Sequence, residues 1–482
     1  MGKFLTPFIV LFGVLGGATT AHANDGDIDT TWGGTGVVTL GFGDDDMSVR
    51  SAPYATDRVA VIGNVDSTGT HGMHDAAVLM RFNADGSRDT TCNNSGYAGL
   101  TSVDPYMASD MAVLADGSTI VVGTIQSAQQ QGFIAKFSPT CHLDPTFGVA
   151  GVMAYTDRLG VVFSSVGVAS DGSIVVGGLT YYAAPDGGDS RFTVMRTLPD
   201  GTPDTGFGSV HPGVWVSDGL HEGLVLDLLV DPSGTVTFSG QLVVAAGGID
   251  AAIARLTNTG VIDTTYADSG WYTPAGSDDE EARSLARRPS GGVVAVGVVE
   301  ASTTPVLQPV LYCLDDNGAV DSSCGTPGRV TSLPAPIGTL DSFFWSVVVD
   351  DSGRFVISGI YDDPASSGSG VTPIVVRLRP DGSPDPTFGT AGVVVLPYGP
   401  GHAVHVTRDT AGRILVGGHE FTSVGIAGPI VRLQASTTTS TIAPLLLPAT
   451  GGESPSVWAV VVAGLGLALL LVRRYAVNHP AR

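Results

Sequence analysis

Lysine is almost missing from this chain of 482 residues: it occurs at Lys3 and Lys136 only, so positive charge falls to arginine. Charged residues of all kinds make up 14%, and the formal net charge is −23. An acidic chain with no basic patch is not built to hold nucleic acid or anionic lipid headgroups. No long stretch places apolar residues at helical spacing, so helices should be few. A Gly-x-Ser-x-Gly elbow leading into a helix and a P-loop are also absent. Cysteine occurs four times.

What the chain does have is repetition, together with 66 glycines. The stretch Asp385-Pro386-Thr387-Phe388-Gly389-Thr390-Ala391-Gly392 has relatives beginning at Asp29, Asp89, Asp144, Asp204, Asp263 and Asp321. Successive starts lie 60, 55, 60, 59, 58 and 64 residues apart, the mark of tandem structural units. Eight residues before six of these aspartates, an apolar, strand-like stretch carries Arg81, Lys136, Arg196, Arg255, Cys313 or Arg377. A seventh stretch, Ile430 to Leu433 with Arg432, has no aspartate after it, and Asp29 has no such stretch before it. In phase with both runs a tight turn followed by β-branched residues ending on glycine, as in Asp116-Gly117 to Gly123 and Ser352-Gly353 to Gly359. These are hairpin cues.

Each period therefore offers about four short strands, and the expected architecture is all-β. Radial repetition gives a seven-bladed β-propeller of four-stranded blades over residues 24–434, a fold that leaves few open strand edges. A linear solenoid is the competing arrangement. The phase of the ends decides: the chain opens on the aspartate motif and closes on the arginine strand, so pairing of the domain's N- and C-terminal segments completes one blade.

Within the motif, aspartates can accept turn N–H groups, aromatics can fill space between blades, and glycines permit positive φ. Asp25, Asp27 and Asp29 alternate like the start of a calcium loop, yet they align with the repeat, and the downstream Glu of an EF-hand is absent. In the sixth copy Cys313 stands where arginine is usual and Cys324 where the aromatic is usual. Replacement of both suggests that those positions touch, with arginine over an aromatic face elsewhere. Cys313–Cys324 is then the natural disulfide, leaving Cys92 with Cys141, although four cysteines allow three pairings.

The Leu-Asp-x-x-Phe-Gly pattern at His142 to Gly148, the stretch Pro384 to Val393 and Arg377 to Gly382 resemble the delta-60 repeat family of exported bacterial proteins. The resemblance covers essentially all of residues 24–434, with departures at Cys92, Tyr266 and Cys324. It implies a propeller-like fold and no particular activity.

The ends speak about location. Residues 1–23 carry Lys3, an apolar run and Ala21-His22-Ala23, a secretory signal peptide with the mature chain starting at Asn24. Residues 435–446 form a Ser/Thr-rich linker. Residues 447–482 contain Leu447-Pro448-Ala449-Thr450-Gly451, an apolar segment 457–472 expected to form a helix, and a basic tail starting at Arg473-Arg474. The segment is short for a permanent span, and the arginines would stay cytoplasmic. This arrangement resembles the LPxTG signal read by sortases. By that resemblance a sortase-type transpeptidase attacks the Thr450 carbonyl, releases Gly451 onward and joins the chain to cell-wall peptidoglycan. The segment from Ser456 to Arg474 also resembles tails handled by exosortase-type systems, and an uncut tail anchor is the third reading.

No catalytic constellation emerges, and neither a metal nor a cofactor is expected. His71 with His74 and His402 with His405 lack a third ligand, and His419 adjoins Glu420. The acidic stretches Asp44 to Asp46 and Asp278 to Glu281 read as solvated loops. The expectation is a cell-surface binding module for an unknown extracellular ligand, not an enzyme. The alternatives are a propeller enzyme with its site at the central channel, and a structural spacer.

Overall fold

Short β-branched runs bounded by Asp-Gly or Ser-Gly turns become strands, and the turns fold each run back on its predecessor. In the computed structural model, residues 24–435 are described except 43–44, 67–75, 103, 183–188, 209–210, 245–247, 277, 301–305, 326–327, 330–332, 334–336, 338–339, 363–369 and 424. The signal peptide with Ala21 and Ala23, the linker beyond 435, the Leu447 to Gly451 motif, the apolar segment, and His71, His74 and Asp44 all lie outside the described residues.

All strand pairs of the described chain are antiparallel, and its one helical element is a 3-10 turn at Ser322–Cys324. The expectation of seven separate four-stranded blades is corrected by the hydrogen bonding. Five sheets follow a four-stranded path, one of them with the small extra strand Ile426–Ala427, and the sixth sheet has eight strands. The fusion rests on one contact. Strand Asp189–Thr197 is nine residues long and its outer neighbour Val214–Val216 three, a disparity close to that of Val371–Leu378 and Val393–Val395, which stay in a sheet of their own. The uncovered start of the long strand pairs through Arg191 with Glu222, the first residue of the next unit, and fuses two units into one sheet.

The innermost strands pack on one another in a closed ring: Asp46–Ala55, Tyr106–Val113, Gly160–Val168, Glu222–Val230, Asp279–Arg287, Ser342–Val349 and Gly401–Arg408. The last touches the first. In the closing sheet the N-terminal strand Val37–Thr39 pairs with Pro429–Leu433, in the register Val37↔Val431 and Val38↔Ile430. The apolar core lies between neighbouring sheets, as in the cluster holding Phe147, Phe163, Val176 and Met195.

The motif builds these joints. Arg196, Arg255, Arg377 and Arg432 reach Asp204, Asp263, Asp385 and Asp29 through Nε at 2.7, 2.8, 2.9 and 2.7 Å. Their guanidinium planes lie 4.7, 4.4, 4.5 and 4.4 Å from the ring centres of Phe207, Tyr266, Phe388 and Trp32. Arg432 and Asp29 thus close, across the chain ends, the pairing that other units make internally. The same arginines reach into the next unit: Arg196 donates to the Asn258 carbonyl and Arg255 to the Asp316 carbonyl, each at 2.6 Å. Gly148, Gly208 and Ala267 donate their N–H groups to Asp200, Thr259 and Asn317 of the following turn.

Disulfides stand where this clamp is missing. Cys313 is bonded to Cys324 in the arginine and aromatic positions, and there Arg288 takes over Asp321 at 2.6 Å. Cys92 replaces the aromatic of its unit and is bonded to Cys141 of the neighbouring sheet. Arg81, having lost that aromatic, lies 4.4 Å over Tyr54. Asp25 pairs with Arg377 at 2.5 Å, which gives it a structural partner within the repeat.

Candidate functional site at the ring axis and loop face

Each innermost strand breaks register with its neighbour at an equivalent place, between Ser48/Arg50, Ala108/Asp110, Phe163/Ser165, Val225/Asp227, Ala282/Ser284, Phe344/Ser346 and Ala403/His405, and the first strand does so again between Pro53/Ala55. Such a bulge adds a residue and re-aims the side chain after it. Opposite the carbonyl that precedes each bulge stands a glycine. A Cβ on Gly123 would lie 2.0 Å from the Met107 oxygen, and one on Gly297 1.8 Å from that of Glu281. This close approach explains the strand-ending glycines of the repeat, the responsible ones being Gly178 and Gly418 in the two units where glycine is doubled.

The bulges deliver Arg50, Asp110, Ser165, Asp227, Ser284, Ser346 and His405 to equivalent positions on seven strands, and all are buried. Arg50 Nε binds Asp110 Oδ1 at 3.0 Å. The carboxylates and one serine tie neighbouring strands together: Val166 N–H donates to Asp110 at 2.6 Å, Leu285 N–H to Asp227 at 2.8 Å and Val347 N–H to Ser284 at 3.2 Å. Burial pushes the Asp110 carboxyl up to about 7, against the pull of Arg50. Burial also lifts Asp227 well above the usual carboxylate range and, with Arg50 nearby, holds His405 well below the usual imidazole range.

The two faces of the ring differ. On one, six of the seven turns between first and second strands have the same five-residue length, at 114–118, 169–173, 231–235, 288–292, 350–354 and 409–413, and the aspartate motif lies beside them. On the other, connections from outer to inner strands range from 156–159 to 330–341. Leu159 and Leu220 are 56% and 85% exposed on this loop face. Nearby, Arg158 and Arg191 lie 5.2 and 4.3 Å from the ring centre of half-buried Tyr182.

The residues singled out from the sequence are distributed across this frame. His402 faces His419 across two strands with ring centres 4.5 Å apart, whereas His405 sits on the axis. Burial lowers His402 well below the usual imidazole range. Among the described residues no group of three or more His, Cys, Asp or Glu could hold a metal ion. The acidic stretches prove structural: Asp45 accepts from Ile426 N–H at 3.0 Å, Asp279 from Ile249 N–H at 2.9 Å, and Glu281 pairs with Arg283 at 2.6 Å.

A profile of a β-propeller domain of unknown function (DUF5122) matches residues 169–207 and 353–388. The chain is a β-propeller repeat protein. No curated protein matches it. Among solved structures, the propeller is similar to the propeller domain of the Trilobed protease from Pyrococcus furiosus, with 9% identity, 78% of this chain and 92% of that one covered, and a TM-score of 0.39. It is also similar to an α-L-arabinanase of Penicillium chrysogenum, with 12% identity, 68% and 94% coverage and a TM-score of 0.36. A third is a Trypanosoma rangeli sialidase mutant, with 10% identity, 81% and 54% coverage and a TM-score of 0.34. Propeller enzymes are among these similar structures, against the expectation that the chain is not an enzyme. Linear motif searches find elbows and P-loops, whereas a propeller assembles side chains from distant repeats. Likeness of fold at this level nonetheless assigns no reaction.

Among the described residues no helix is long and apolar enough to cross a membrane. The segment 457–472 falls outside them.

Proposed function

We propose that the protein is an exported propeller, held at the bacterial cell surface, whose loop face binds an extracellular ligand. The observation that carries this is the contrast between the faces. The turn face keeps one length in six of seven turns and repeats the aspartate motif beside them, while the loop face varies in length and composition, which is where recognition resides on a rigid scaffold. The acidic chain favours neutral or cationic ligands over anionic polymers. Anchoring follows from Leu447 to Gly451 and the tail, with a sortase-type transpeptidase and peptidoglycan as partners.

Both parts are testable. Mass mapping of the native protein should find a C-terminus at Thr450 carrying a wall fragment; recovery of residues 457–482 from membranes would replace sortase anchoring with a tail anchor. Binding to neutral envelope polysaccharide should be lost in Leu159→Asp and Leu220→Asp and kept in Val149→Asp, on the turn face. Equal binding by all three would move the site away from the loop face.

A further inference from the structure

We propose that the propeller axis holds a small monovalent anion of halide size, gripped by the Arg50 guanidinium and the hydroxyls of Ser165 and Ser346. Arg50 is fully buried, and although its Nε is taken by Asp110, neither Nη1 nor Nη2 has a partner among the described residues. The hydroxyls of Ser165 and Ser346 and both ring nitrogens of His405 are likewise buried without partners among the described residues. Arg50 interacts electrostatically with Asp110, Asp227 and His405, which stand on three other innermost strands, so its head lies among them.

The open positions are mostly donors. Each Nη carries two N–H groups, each serine one O–H and neutral His405 one N–H. The acceptors are already engaged: Asp110 takes Arg50 Nε and Val166 N–H, and Asp227 takes Leu228 N–H and Leu285 N–H. A site with donors to spare and carboxylates occupied selects an acceptor-only ligand, and seven strands packed around it admit only a small one. Burial favours the protonated form of Asp227 and raises Asp110, while His405 stays neutral. Burial lowers Arg50 as well, but a guanidinium keeps its proton, so Arg50 is the charged member, with Ser165, Ser284 and Ser346 completing the ring. Proton uptake by Asp110 removes the nearest repulsion, so anion affinity rises as pH falls through about 7. The site is independent of whatever the loop face binds.

The test uses bromide. Crystals of the protein grown after exchange into bromide should show an anomalous peak at the axis within hydrogen-bonding reach of Arg50 Nη1 or Nη2. In solution the unfolding midpoint should climb with bromide concentration, relative to the same ionic strength of a large organic anion. Ser165→Ala and Ser346→Ala keep the guanidinium and should each weaken bromide about tenfold. Arg50→Met should abolish the effect, and if it does not fold the serine variants decide. Bromide on the outer surface only, or equal midpoints in the two salts, would overturn the proposal.

Discussion

Two sets of aspartates stand in the same repeats and behave in opposite ways. The motif aspartates recur in every unit, and Asp29, Asp89, Asp144, Asp263, Asp321 and Asp385 are held below the usual carboxylate range. The hydroxyl and N–H of Thr146, with the Lys136 ammonium, hold Asp144 down at about 2, and Ser323 with Arg288 does the same for Asp321. The axial position is also present in every unit, yet it reads Arg, Asp, Ser, Asp, Ser, Ser and His, and burial raises its carboxyls. What is repeated side chain for side chain builds the joints between sheets. What is repeated only as backbone, bulge opposite glycine, leaves the side chain free to differ, and there the molecule carries information particular to itself.

The largest effect should come from the clamp that joins the chain ends. Arg432 and Asp29 are each 1% exposed. Removing one member of such a pair leaves a buried charge, so Arg432→Met should cost about 3–5 kcal/mol in urea unfolding. A cost near zero would mean that the β pairing alone closes the ring. Next, reduction of the Cys92–Cys141 bridge, which spans 49 residues, should cost about 2–4 kcal/mol. Smaller still, the double change Cys313→Arg with Cys324→Phe should restore the common clamp, remaining within about 1 kcal/mol of the parent and losing the sensitivity of that joint to reductant. Failure to fold would show that the clamp and the disulfide are not equivalent. At the bottom of the scale, Asp351→Asn removes the partner of Arg408 at 2.9 Å, but Asp351 is 91% exposed and the change should stay below about 0.5 kcal/mol.

Much of this was legible in the sequence. The period, the turn chemistry and the phase of the ends pointed to a ring, and the joint replacement at Cys313 and Cys324 exposed the contact between arginine and aromatic. The fusion of two units was not legible, because it depends on one bridged pair, Arg191 with Glu222, from different units. Nor was the axial ring, whose members share no chemistry. A signal did exist: each lies thirteen residues before a glycine, from Arg50 and Gly63 to His405 and Gly418. It was hidden because the glycine, and not the functional side chain, is what repeats. The acidic stretch at Asp279 read as solvated loop, since its partner Ile249 N–H belongs to the preceding unit.

The most direct measurement is the unfolding free energy of the protein, Asp110→Asn and Asp144→Asn across the acid-to-neutral range. Asp110 titrates at a raised value in the fold, so the stability it contributes is full below about 4 and is lost as pH rises toward about 7. Asp144 titrates at a lowered value, so its contribution is full above about 4 and is lost as pH falls toward about 2. Asp110→Asn should therefore flatten the profile on the neutral side and Asp144→Asn on the acid side. Two variants whose profiles bend in the same window would contradict the division between repeated joints and an individual axis.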